Sequence, residues 1–457
     1  MYLICAVKTV RSLSVSNIEC DSVKVFKFGG ASIKSADAVK SIVNILGRFP
    51  ADDLIIVISA MGKSTNALER YHDACYHRRA DAGQHLEQLR RHHLGIMHEL
   101  FDSRDHEAYE DVQLIFNTLH SFMGDDPLES YDAQYDALVS CGELLSTRIV
   151  SHYLNDAKVV NKWFDARELI KTDDTYREGR VDWKLTSYLV DKTLGSYFAS
   201  DHERRKIAVT QGFIAGTIDD RTTTLGREGS DFSGAILAYC CDAELLTIWK
   251  DVPGVLNADP KYFEDTVKLP VISYREATEL SYYGASVIHP KTLKPLQNRQ
   301  IPLFVKSFSQ PDDEGTQIQE IIEYDRLIPS FIFKVDQILI SIAPRDFSFV
   351  DEHNLSCIFG SFAKFRIKLH LMQNSAISFS VCVDNKHAKL PLLLKELHKN
   401  FVVRYNEGLE LLTIRHYDQE TIDRLIEDKE VLLIQKGRST AQLVLRPLVE
   451  VDWMKTR

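Results

Sequence analysis

No stretch of about 18 uncharged apolar residues occurs in this 457-residue chain, so the sequence predicts no membrane-spanning helix. It also lacks an excess of positive charge: 55 Lys and Arg stand against 65 Asp and Glu, a formal net charge of -10. That balance argues against nucleic acid as a partner. A few local cations can still hold a small anion, because salt confines each field to about 10 Å. The eight cysteines form no C-x-x-C pair and no zinc-ligand spacing, which leaves free thiols in a reducing compartment as the reading. Residues 1–22 carry a short apolar run that Lys8 and Arg11 interrupt before signal-peptide length. They read as an N-terminal extension, and a cytoplasmic location is expected.

What is present is the composition of a globular enzyme-sized chain, and its length predicts two or three domains. Residues 23–28 form a short apolar run that ends in Gly29 and Gly30, and 36–46 follow with helical spacing. The runs 54–58, 206–210 and 245–249 repeat the pattern of a buried strand entering a polar loop. The region 23–310 is therefore expected to be α/β, a three-layer αβα domain around a mostly parallel sheet, with ligands at the carboxyl ends of the strands. Residues 66–130 are helical in pattern and carry His72, His77, His85, His92, His93 and His98. None of these pairs is three or four apart, so a solvated helical surface is expected rather than a metal site. Turn-forming residues 309–315 open a linker, 311–330. Beyond it, 331–457 show a β-α-β-β-α-β rhythm run through about twice, an α+β, ferredoxin-like region.

Lys27-Phe28-Gly29-Gly30 sets a cation at a strand end and two glycines in the turn, where bare backbone N–H groups can approach phosphate oxygens. A plain turn is the alternative. Gly62-Lys63-Ser64 suggests a P-loop, but Val57 stands where that pattern needs glycine, and no G-x-G-x-x-G opens a dinucleotide domain. Glu143 alone would pass as a helix-surface carboxylate. Ser230 and Asp231 begin an apolar helical run, where they can cap the helix or serve a ligand.

Taken together these segments resemble aspartate kinases of the amino-acid kinase family. Lys27-Phe28-Gly29-Gly30-Ala31-Ser32 looks like the opening motif, with Ala31 in place of the usual threonine. Residues 59–66, Ser-Ala-Met-Gly-Lys-Ser-Thr-Asn, resemble the second loop, whose counterparts of Ser59 and Thr65 face the substrates. Ser140-Cys141-Gly142-Glu143 resembles the segment whose glutamate holds the substrate's amino group. Residues 209–216 and 222–231 match closely and contain Arg227, Ser230 and Asp231. Residues 249–261 resemble the nucleotide-binding segment, implying Lys250, Asp251, Leu256 and Lys261 as ATP contacts, though Lys250 replaces a common threonine and Leu256 a common aromatic. Residues 283–290 add Ser286 and Val287, with Ser286 in place of a lysine that approaches the ATP phosphates in many relatives.

The resemblance implies phosphorylation of the β-carboxylate of L-aspartate by ATP and Mg²⁺, the first step toward lysine, diaminopimelate, threonine and methionine. Lys27 and Asp231 would be catalytic, and Ser59, Thr65, Glu143, Arg227 and Ser230 would bind substrate. ATP would contact Lys27, Phe28, Gly29 and Gly30 as well, and no side chain is assigned as a direct metal ligand. Arg227 offers a planar fork of donors suited to an α-carboxylate. Lys250 or Lys63 is expected to replace the charge missing at Ser286. Residues 367–383 resemble the paired strands of the ACT domains that follow such kinases, which implies tandem ACT-like modules over 331–457. A homodimer or homotetramer and an amino-acid feedback effector, lysine or threonine, follow as expectations, although 344–349 lack the glycine common in effector loops. The competing readings are a sister kinase acting on another carboxylate and a silent amino-acid sensor. Retention of both Lys27 and Asp231 argues against the sensor.

Overall fold

The computed structural model describes residues 23–124, 130–200, 205–285, 288–325, 328–346 and 348–448. The extension 1–22 and the site candidates Ser286 and Val287 lie outside the described residues. The chain divides into two compact units, Met1–Trp249 and Lys250–Arg457. The last part of the expected 23–310 domain thus falls in the second unit.

In the first unit, strands β1 (Lys24–Phe28), β2 (Leu54–Ile58), β3 (Lys162–Phe164) and β4 (Ile207–Gln211) are followed by a small antiparallel hairpin. Its strands are β5 (Ile214–Gly216) and β6 (Thr222–Thr224), and β7 (Leu245–Lys250) comes next. The main strands pair in the order β3-β4-β2-β1-β7, all parallel. Every side chain of β2, Leu-Ile-Ile-Val-Ile, is buried, as a strand covered on both faces requires. The helix Ala36–Leu46 starts where Ser35 accepts from the Ala38 amide, and it buries Val39, Ile42 and Ile45. Capping and amphipathicity thus act together at that start.

The histidine-rich region forms helices Ser64–Tyr76, Ala82–Leu100 and Glu107–Ser121. The expected solvated surface is corrected for two of its members, since His72 and His93 are fully buried. The His72 ring meets Tyr131 edge-on, with centroids 4.4 Å apart, and His93 Nδ1 lies 2.9 Å from the Leu89 carbonyl oxygen. Burial pulls both imidazoles down to about 4, so near neutrality each packs as an uncharged aromatic ring.

In the second unit, β8 (Val271–Ser273), β9 (Leu303–Ser307) and β10 (Thr316–Gln319) are neighbours, with β10 parallel to β8 and antiparallel to β9. Residues 311–330, expected as a linker, therefore contain a sheet strand. The Thr316 hydroxyl fixes it by donating to the Leu269 carbonyl and accepting from the Val255 amide.

The remaining strands are β11 (Ser330–Pro344), β12 (Leu371–Asn374), β13 (Phe379–Asp384), β14 (Phe401–Arg415), β15 (Lys429–Lys436) and β16 (Thr440–Pro447). They make one antiparallel sheet in the order β12-β13-β11-β14-β16-β15. The helices Glu352–Phe365 and Leu390–Asn400 pack on one end of it through Ile358, Phe362, Leu393 and Leu397. The helix Gln419–Leu425 covers the other end through Ile422. The β-α-β-β-α-β rhythm is complete once, from β11 to β14. The second pass has a single helix among the described residues and shares β11 and β14 with the first, so both passes lie in one sheet.

Candidate active site

The first unit gathers its candidate residues at the carboxyl ends of β1, β2 and β4. Lys27, the fourth residue of β1, is 7% exposed, and its Nζ lies 2.5 Å from Asp231 Oδ1. Asp231 is 3% exposed, in the first turn of the helix Gly229–Cys241. A buried pair of this kind persists only where geometry compensates desolvation, and here the carboxylate also sits at the positive end of a helix dipole.

The loops after β1 and β2 are tied together. The Ser59 amide donates to the Phe28 carbonyl at 3.2 Å and the Gly62 amide to the Gly30 carbonyl at 3.0 Å. A Cβ at Gly30 would lie 2.8 Å from the Ala60 oxygen and 2.9 Å from the Gly62 oxygen, so only glycine allows this approach. Thr65 stands half-buried in the first turn of Ser64–Tyr76. Ser59 accepts, through its carbonyl oxygen, a hydrogen bond from the Ser146 hydroxyl at 2.7 Å.

Glu143, in the first turn of the helix Cys141–Asp156, is 2% exposed. Its Oε1 accepts from the Ala60 amide at 3.2 Å, while Oε2 is buried with no hydrogen-bond partner among the described residues. Burial raises its carboxyl from 4.5 to about 8, against the opposing pull of the Ala60 and Glu143 amides and of Lys27. The surface-carboxylate reading of Glu143 is excluded. A cation at Oε2 would favour the ionised form of this carboxyl.

Gly212 follows β4, and a Cβ there would come within 2.5 Å of Ser230 Cβ. That contact packs the β4–β5 turn against Ser230. The Phe213 amide donates to Ser233 Oγ at 2.9 Å, holding Phe213 in a left-handed conformation, φ 69°. Arg227 lies in the exposed turn between β6 and the helix and makes no ion pair among the described residues. Its exposed guanidinium presents a planar fork of donors of the kind that suits a carboxylate.

Sequence reasoning missed Asp136. It is fully buried, and its carboxylate accepts from the Arg177 amide, the Thr224 amide and the Thr224 hydroxyl, each at 2.8 Å. Burial raises its pKa, opposed by these hydrogen bonds. Through Thr224 it fixes the strand end from which Gly226 and Arg227 emerge. The only trace in the sequence was an acid just before the apolar run Ala137-Leu138-Val139.

The ATP candidates from Lys250 onward belong to the second unit. Lys250 is half-buried at the end of β7, and Asp251 and Lys261 are exposed. Leu256 is half-buried and bridges to Lys268. Gly254 has φ 146°, and a Cβ there would meet Thr316 Oγ1 at 2.5 Å. Asn257 staples this loop, because its Oδ1 accepts from the Val267 amide at 2.7 Å and its Nδ2 donates to the Pro329 carbonyl at 3.0 Å.

Residues 22–307 match the amino acid kinase family. The chain is 28% identical over 401 residues to lysine-sensitive aspartokinase 3 of Escherichia coli (strain K12), covering 85% of this chain and 86% of that protein. The crystal structure of E. coli aspartokinase III in complex with aspartate and ADP, in the R-state, is similar at TM-score 0.76 and 26% identity. It covers 93% of this chain and 96% of that one. The same enzyme in complex with lysine and aspartate, in the T-state, matches with the same score, identity and coverage. By its sequence match and its fold, the chain belongs to the amino acid kinase family.

Proposed function

We propose that this chain is an aspartate kinase that transfers the γ-phosphoryl group of ATP to the β-carboxylate of L-aspartate. The observation that carries the reading is Glu143, a buried acid with one unpartnered oxygen close enough to Lys27 to feel its charge. A substrate ammonium on Oε2 satisfies that oxygen and keeps the carboxyl ionised. Arg227 takes the α-carboxylate, and the two contacts together select an α-amino acid. Ser59, Thr65 and Ser230 line the substrate side of the same loops.

The β-carboxylate is already ionised near neutrality, so the acceptor needs no general base. What the site supplies is orientation and positive charge at the transferring group. Lys27 brings the cation, the Gly29 and Gly30 turn brings backbone donors, and Asp231 fixes the ammonium of Lys27. Lys250, Asp251, Leu256 and Lys261 supply the nucleotide side. Among the described residues no three metal-binding side chains converge, so a magnesium ion would be held chiefly by the ATP phosphates, with Asp231 as the protein's nearest carboxylate. When bound, that ion neutralises phosphate charge.

The E. coli relative whose structure contains lysine makes lysine the first effector to test on the six-stranded sheet. Exposed edge strands such as β12 and β15 suit pairing between copies of the chain, as a homodimer or homotetramer. No helix among the described residues is long and apolar enough to cross a membrane.

The product is an acyl phosphate, which hydroxylamine converts to a hydroxamate. Incubation with ATP, Mg²⁺, L-aspartate and hydroxylamine should yield aspartyl hydroxamate in proportion to enzyme. Hydroxamate formation without aspartate dependence would remove the reading.

A further inference from the structure

The helix Cys141–Asp156, which carries Glu143, is tied by side chains to the ends of three strands of the parallel sheet. Just after β2, the Ser59 carbonyl accepts from the Ser146 hydroxyl. From β3 and β4, two donors converge on a single hydroxyl, that of Thr147. Trp163 Nε1 and Gln211 Nε2 each lie 3.0 Å from Thr147 Oγ1. Thr147 stands four residues after Glu143, so the two share a helix face, and Oγ1 lies 2.8 Å from the Glu143 carbonyl oxygen.

Chemistry fixes the direction of each bond. An indole N–H only donates and a carbonyl only accepts. The Ala166 amide donates to Gln211 Oε1 at 2.7 Å, which turns the Gln211 amide so that Nε2 faces Thr147. A hydroxyl has one proton and two lone pairs. Thr147 uses all three, accepting from Trp163 and Gln211 and donating to the Glu143 carbonyl; the Leu144 carbonyl, at 3.3 Å, is the poorer acceptor. Thr147 and Gln211 are fully buried, so solvent does not compete for these groups. The Arg148 guanidinium lies over the Trp163 ring, 3.6 Å from its centroid.

This bracing acts where Glu143 Oε1 accepts from the Ala60 amide at 3.2 Å. That bond opposes the burial that raises the carboxyl to about 8. Lys27 of β1 and Cys141 of the same helix are the titratable groups that interact with it.

We propose that Thr147, held by Gln211 and Trp163, is a positioning residue for Glu143 that keeps its carboxylate on the Ala60 amide. The part played by Glu143 in binding aspartate rests on the kinase reading. A hydroxyl that only fastened the helix to the sheet would lower Tm when removed and leave the titration of the acid alone.

Two readouts are taken on the full chain and on Thr147→Val, Thr147→Ser and Trp163→Phe, together with Tm. One is the pH midpoint of the protonated-carboxyl infrared band that Glu143→Gln removes, measured without substrate. The other is KM for aspartate and for ATP near neutral pH. Thr147→Val should raise the midpoint by about one pH unit and KM for aspartate about tenfold, the same change in ionisation read twice, with KM for ATP within about twofold. Thr147→Ser should restore both, and Trp163→Phe should raise the midpoint by about half a unit and KM for aspartate about threefold. A lower Tm in Thr147→Val with midpoint and aspartate KM unchanged overturns the proposal in favour of a packing role. Should Thr147→Val not fold, an unchanged midpoint in Trp163→Phe overturns it as well. A wild-type chain that does not turn over aspartate would sink the kinase reading, while the infrared midpoint, which needs no substrate, still decides the role of Thr147.

Discussion

Lys27 Nζ and Asp231 Oδ1 lie 2.5 Å apart, joining the end of β1 to the first turn of the helix Gly229–Cys241. Both are nearly solvent-free, so each side chain depends on the other for its orientation. Lys27→Met should lower kcat by about 10²- to 10³-fold, the scale of losing one preorganised charge at a transition state. Asp231→Asn should cost nearly as much, and the double variant little more than either alone. Steady-state kinetics on the three variants checks this, and additive losses would mean that the pair does not act as one unit.

Glu143 makes aspartate binding depend on pH. In the substrate-free enzyme burial holds its carboxyl up near 8, so below that pH it carries a proton that the incoming ammonium must displace. KM for aspartate should fall about tenfold per pH unit as pH rises toward 8 and then level off. Stability runs the other way. A carboxyl raised from 4.5 to about 8 on folding contributes stability that is complete below 4.5 and is lost as pH rises through 8. Glu143→Gln should flatten this loss in a denaturation series and abolish aspartate binding. An aspartate KM that is level from pH 6 to 8 would contradict the assignment.

Asp136 acts at one remove. Asp136→Ala leaves the Thr224 amide and hydroxyl and the Arg177 amide without their acceptor, at about 1–3 kcal/mol for each buried group left unsatisfied. The Arg227 turn should loosen with it. KM for aspartate should rise more than KM for ATP, and Arg227→Lys should reproduce that selectivity without the fall in Tm, because a lysine cannot form the bidentate grip.

The Glu276–Arg415 pair is almost completely buried. Despite burial, bonds from His416 and Arg415 hold the Glu276 carboxyl below its ordinary range. Glu276→Ala would strand the guanidinium and should cost about 3–5 kcal/mol, readable as a lower denaturant midpoint. A loss under 1 kcal/mol would show that solvent or another acid takes over.

The strands and the Ala36–Leu46 helix were legible because continuous β-branched runs and a capped amphipathic stretch admit few alternatives. The glycine loops were legible because Gly30 and Gly212 are demanded by close approaches that no other residue permits. The region beyond 330 was harder. The expected rhythm calls for short strands, but β11 and β14 each run to 15 residues. They pass through register shifts at Lys334/Gln337 and Gln337/Leu339. They join both passes of the rhythm into one sheet, a long-range pairing that no local pattern announces. His72, His93 and Asp136 were misread or missed for a related reason. A polar residue on a helix is exposed by default, and only tertiary packing reverses that.

The most direct test is ADP release from ATP and Mg²⁺ in a coupled assay with L-aspartate and with L-glutamate at matched concentrations. Turnover with aspartate exceeding that with glutamate by at least 10²-fold is the predicted result. No aspartate-dependent ADP release, or a preference for glutamate, would contradict the assignment.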